Sequence, residues 1–217
     1  METWKRTVYI SLICVFCTSF GVSQLAPILP LYFHDLGVQT PSAMSLWSGL
    51  ATGATYLIVC LVAPFWGRIA DKKGRKITLI RSSFGMALCN LLIAFQTIPE
   101  GVVLIRLIQG LVSGFYSATI TLIASETPID RTGWALGLLA SANLAGSLIG
   151  PLIGGYLADS IGIRNDFILV GILMGISGVL ATVFIHENYK PKATVEKLTL
   201  SKLKEKIPEF NSIVALC

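Results

Sequence analysis

The sequence predicts an all-α membrane protein of six spanning helices, built as two inverted three-helix repeats. Three observations predict it. Apolar residues make up 53% of the 217 residues and charged residues only 13%, against roughly 25% charge in soluble domains. That balance leaves too little polar surface to cover a water-exposed globule. Six apolar runs reach the length of about 20 residues that a helix needs to cross the hydrocarbon core, far beyond the strands of an outer-membrane barrel. The third observation is a repeat: Gly67-Arg-Ile-Ala-Asp71-Lys-Lys-Gly74-Arg75-Lys76 follows the second run, and a looser copy, Gly155-Tyr-Leu-Ala-Asp159-Ser-Ile-Gly162-Ile-Arg164, follows the fifth. Trp47 and Trp134 precede Gly67 and Gly155 at nearly the same distance, so the correspondence extends back along both helices.

The first run, Val8 to Phe33, is too long for the apolar region of a signal peptide. It carries Pro27 and Pro30 near its end in place of a small-residue cleavage site, and is expected to remain as the first helix. The second, Leu46 to Trp66, leads into the basic connection, and the third spans Ile77 to Thr97. The fourth, Gly101 to Ala124, contains Arg106 about 8 Å from its start at 1.5 Å per residue. The fifth, Trp134 to Leu157, places Ala142, Gly146, Gly150 and Gly154 at four-residue spacing. Such a flat strip lets another backbone approach closely, and Pro151 removes one helical hydrogen bond beside it. The sixth runs from Phe167 to Ile185. Residues 1–188 thus form the bundle. Residues 189–217 read as a charged cytoplasmic connection, with Val195, Leu198, Leu203 and Ile207 spaced to lie along a membrane surface, followed from Phe210 to Cys217 by the truncated start of a seventh helix.

Orientation follows from Lys and Arg, which are retained on the cytoplasmic side. Of 17 basic residues, assigning both chain ends and the even-to-odd connections to the cytoplasm leaves Arg164 outside and Arg106 within a helix. The net charge of +5 is therefore a topology signal, and no nucleic-acid partner is expected. The Gly67 to Lys76 connection is cytoplasmic and its echo external, so the two copies are inverted. Inverted repeats are how secondary transporters build a site that faces either side in turn.

Cys14, Cys17, Cys60, Cys89 and Cys217 show neither a disulfide nor a zinc pattern. With no nucleophile and base pair and no phosphate loop, neither an enzyme, a metal nor a cofactor is expected. None of the 12 acidic residues falls near the middle of a helix; Asp35, Glu100, Asp159 and Asp166 all sit at outer ends. A proton carrier is thus expected either in a half not contained here or at the outer mouth, on Asp35 or Asp159.

Several of these stretches resemble signatures of the major facilitator superfamily. Gly67, Asp71, Gly74 and Arg75 look like its motif A, Arg106, Gln109 and Gly110 like motif B, and Gly146, Gly150, Pro151, Gly154 and Gly155 like motif C, the mark of the drug:proton antiporter branch. Pro27 and Pro30 look like motif D. The resemblance implies the amino-terminal six-helix half of a twelve-helix carrier, with its partners in the bilayer, in small apolar substrates and protons, and in a missing carboxy-terminal six-helix half. It implies that Asp71 locks the halves together on the cytoplasmic face, and that Arg106 faces the cavity with Gln109 and biases the protonation of a nearby carboxylate. Motif C implies a helix shaped for rocking against the opposite half. Gln24, Tyr56, Tyr116 and Asn143 are candidates for the cavity wall, and Gly67 and Gly74 are expected to permit a tight turn. The activity implied is proton-coupled drug efflux in the cytoplasmic membrane. The alternatives are a carrier of sugars or metabolites, and a membrane subunit with no transport of its own.

Overall fold

A computed structural model describes residues 3–185 and Glu187. The expected connection and seventh-helix start, residues 189–217, lie outside the described residues. The described residues form eight helices: α1 (Thr3–Ser23), α2 (Leu25–Asp35), α3 (Pro41–Lys73), α4 (Arg75–Ala94), α5 (Pro99–Val112), α6 (Phe115–Glu126), α7 (Ile129–Ile161) and α8 (Ile163–Phe184). They make six segments long and apolar enough to cross a membrane, and no strand occurs among the described residues. The first span is interrupted at Gln24 and the fourth at Ser113 and Gly114. Pro41 and Pro99 each stand in the first turn of their helices, where a missing N–H removes no helical bond.

The repeat is visible as geometry. Each three-span unit opens with a broken helix, continues with one of 33 residues, α3 or α7, and closes with a shorter one. The long helices end at Gly74 and Gly162, with φ of 94° and 87°. Backbone in that region carries a steric penalty for any residue with a Cβ, and each glycine turns the chain directly into the next helix. Gly67 corrects the sequence reading: it belongs to α3, which continues to Lys73, so the turn belongs to Gly74 alone. The apolar residues Ile69 and Ala70 carry the helix past Gly67, and with open space around it, Gly67 meets nothing that would stop the helix.

Packing between the units is reciprocal. The opening helix of one lies on the long helix of the other, α1 on α7 and α5 on α3; the closing helices α4 and α8 pack together; α1 meets α8 as α5 and α6 meet α4. This is the exchange a two-fold axis produces, and an odd number of spans per unit sets the copies in opposite senses across a bilayer. The interior has two clusters. One, around Val15, Leu79, Leu122, Leu139, Met174 and Ala181, fills the end that the basic residues predict to be cytoplasmic. The other, around Ile28, Tyr32, Ile93, Val102 and Phe167, fills the outer end. Lipid tails are as apolar as these side chains, so close packing and hydrogen bonds, rather than escape from water, hold the bundle together.

Candidate functional site

The glycine strip of α7 packs inside this half. A Cβ added to Gly146 would stand 2.6 Å from the carbonyl oxygen of Phe16; one at Gly150 would meet the Ser23 hydroxyl and the Phe20 carbonyl; one at Gly154 would meet the Gln24 side chain. All three glycines are buried inside this half, Gly146 and Gly150 against α1 and Gly154 against Gln24 just beyond it. The reason is helical phase: Gly146, Gly150 and Gly154 share one face, while Leu144, Leu148, Leu152 and Tyr156 occupy the opposite one and are exposed. Gly155, one residue off the strip, meets nothing. α7 passes through Pro151 without interruption. Beside the strip, Ser19 Oγ donates to Asn143 Oδ1 at 2.6 Å, and Ser23 Oγ to the Gly146 carbonyl at 3.3 Å.

Gly110 plays the corresponding part for α5, where a Cβ would stand 2.7 Å from the Thr55 carbonyl oxygen on α3. One turn earlier, Arg106 Nη1 donates to Gln109 Oε1 at 3.2 Å, and Thr55 Oγ1 donates to the Arg106 carbonyl at 3.1 Å. Arg106 is 6% exposed and Gln109 3%, so the guanidinium is enclosed by the bundle and does not reach the outer interface. A buried cation at this depth is costly unless satisfied, yet Nε has no partner. Among the described residues no acidic side chain forms an ion pair with Arg106. Tyr56 of α3 lies within its electrostatic reach and is otherwise exposed.

At the turn between α3 and α4, Asp71 is exposed on the last turn of α3. A carboxylate that the sequence reading passed over caps the next helix: Glu187 accepts hydrogen bonds from the backbone N–H groups of Arg75 and Lys76, both at 2.8 Å. An anion on the first N–H groups of α4 satisfies donors that have no helical partner and meets the positive end of the helix. The end of the sixth span is thereby tied to the start of the third. Arg81, one of the basic residues that the orientation argument counts on the cytoplasmic side, also has partners within the bundle. Its guanidinium stacks 3.4 Å from the Trp66 ring centroid, and it donates to the carbonyls of Leu111 at 3.1 Å and Ser113 at 3.0 Å. Trp66 Nε1 donates to Leu111 as well, at 2.8 Å. Together they cover the carbonyls freed where α5 stops, and so hold the break in the fourth span.

Of the cavity candidates, Tyr56 is exposed, and Tyr116 and Asn143 are half-buried. Gln24 corrects the sequence reading: it is fully buried, and its Nε2 donates to Asp166 Oδ2 at 2.9 Å. The amide turns inward because Gly154 leaves the room beside α7 that its side chain fills. Above it, Tyr32 donates to the Ile93 carbonyl at 2.6 Å and lies 5.1 Å from the Phe167 ring. A separate recess of about 480 Å³, lined by Trp4, Lys5, Arg131 and Trp134 among others, opens beside the first turns of α1 and α7.

Two interlocked three-span units with long helices left open on their outer faces have the architecture of one half of a secondary transporter. The chain belongs to the Major Facilitator Superfamily, whose family model matches residues 11–214. It is 36% identical over 215 residues to the multidrug resistance protein MdtG of Proteus mirabilis, covering 99% of this chain and 54% of that protein. It is 41% identical over 195 residues to MdtG of Enterobacter lignolyticus, covering 90% and 47%. The chain thus spans about half the length of these curated relatives. Among solved structures, the human organic anion transporter MFSD10 superposes with a TM-score of 0.76 at 18% identity, over 88% of this chain and 50% of that one. The POT family transporter PepTSo superposes at 0.69 and 15% identity, over 87% and 39%; both likenesses concern the fold alone.

Proposed function

We propose that this chain is the amino-terminal half of a proton-coupled exporter of small, largely apolar compounds, working by alternating access in a bacterial inner membrane with both termini in the cytoplasm. The observation that carries the reading is similarity along nearly the whole chain to proteins named for multidrug resistance. The structure supports it with two apolar strips that no element among the described residues covers. On α3 they are Leu50, Leu57, Leu61 and Phe65, and on α7 Leu144, Leu148, Leu152 and Tyr156. A second six-helix half and lipid are their natural partners, and the cavity forms between the halves. Specificity then comes from a broad apolar wall with few polar groups. In this scheme Asp71, exposed beside the basic turn, contacts the other half when the cytoplasmic side is closed.

The test is dye export from everted vesicles holding this half joined to a second one. Export should stop when the pH gradient is collapsed, and Asp71→Asn should abolish it with the protein still inserted. Dye movement indifferent to the gradient would refute proton coupling, and full export by the variant would refute the gating role. Half-length coverage favours a second reading for the chain on its own, a membrane subunit that transports nothing until another half joins it.

A further inference from the structure

We infer that Asp166, held by Gln24, is a proton-carrying site of this half, loaded from the outer face; the inference rests on the proton-coupled reading above. Both side chains are fully buried. Gln24 Nε2 satisfies Asp166 Oδ2, but Asp166 Oδ1 and Gln24 Oε1 are buried with no donor at either. An ionised carboxylate only accepts hydrogen bonds, whereas a protonated one donates from one oxygen. The pair as built is therefore one hydrogen short, and a proton on Oδ1 supplies it. The step takes one proton from outer water, cancels the single negative charge of Asp166, and returns the proton to water when the site opens the other way.

Nothing nearby substitutes for that proton. On α2, Tyr32 spends its hydroxyl on the Ile93 and Gln96 carbonyls, and Asp35 is exposed beside His34. On α4, the charged side chains stand at the far end, and Cys89 is the titratable group of the outer half. α7 offers exposed Asp159, α1 offers Cys17 further down, and Arg164 of α8 is exposed. None of these bonds to Asp166 among the described residues. A lone buried carboxylate without a cation is costly to keep ionised.

The position also gives the proton something to move. Gln24 is the residue at which α1 ends and α2 begins, and its side chain occupies the space left by Gly154 of α7. Gaining or losing the proton changes the hold of α8 on the joint of the first span, at the helix pair whose packing the glycine strip makes tight.

Infrared difference spectroscopy of the full chain in lipid vesicles, stepped through pH, tests the site without any transport. A carboxylic C=O band should appear on acidification, persist in Asp35→Asn and Asp159→Asn, and be absent from Asp166→Asn. Asp166→Glu should retain the band, and Gln24→Leu should move its midpoint by about one pH unit. A band unchanged in Asp166→Asn, or a midpoint unmoved in Gln24→Leu, overturns the proposal. Joined to a second half, Asp166→Asn should lose gradient-driven export by about tenfold or more while retaining substrate exchange without a gradient. Gradient-driven export by the variant equal to wild type overturns the site and leaves the exporter intact. Wild-type export that ignores the gradient overturns the exporter reading itself, and with it the coupling role of Asp166.

Discussion

Single residues decide how closely α1 and α7 approach. Gly146→Leu places a branched side chain against the Phe16 carbonyl, and overpacking of this kind costs about 1–3 kcal/mol or more. Thermal unfolding in detergent should show a lower midpoint for Gly146→Leu, whereas Gly155→Ala, facing open space, should be neutral or slightly stabilising. Equal losses from both would mean that the strip does not set the helix contact. Glu187→Ala removes the acceptor from two N–H groups at the start of α4, which should destabilise by about 1 kcal/mol, while Glu187→Gln should recover part of it. At this scale the sequence was only partly legible. The glycine spacing was visible, but its partner was not, because a strip of small residues states that a backbone comes close without stating which one. The sequence places Asp166 at the outer end of a helix but not inside the bundle, because counting residues from a helix end measures depth along the membrane and says nothing of what covers the side. Gln24, which bonds to it, stands 142 positions away in the chain.

At the scale of elements, all six spans were legible from length and composition, since a helix must be apolar over the whole thickness of the core. Their breaks were not. Neither Gln24 nor Ser113 interrupts the apolar pattern, and the α5–α6 break is held from outside its own span by Arg81 and Trp66. Arg81→Ala removes the stacked cation and two hydrogen bonds to carbonyls, each worth about 1.5–3 kcal/mol for a charged donor. Amide exchange at Phe115, Tyr116 and Ser117 should then quicken by about tenfold or more, with α8 unchanged. Exchange that rises equally along both helices would mean general loosening and no local clamp.

For the whole molecule, the inverted repeat makes a topological prediction. Cysteines placed at Lys73 and Ser160, in a chain freed of its native thiols, should label from opposite sides of the membrane; labelling from one side would remove the repeat. On the proposed scheme, in which a second bundle supplies half of the cavity wall, the chain alone should insert but carry no flux in proteoliposomes. The reciprocal packing of the two units also bears on biogenesis. The groove on α1 is closed by residues such as Asn143, which sits 124 positions beyond Ser19, so order of synthesis and order of assembly differ. The leading three helices leave the ribosome without the neighbours that complete them and wait in the membrane until α7 arrives. Their survival in that interval depends on insertion machinery and local lipid, and a chain stalled before α7 is synthesised should be a ready substrate for membrane proteases.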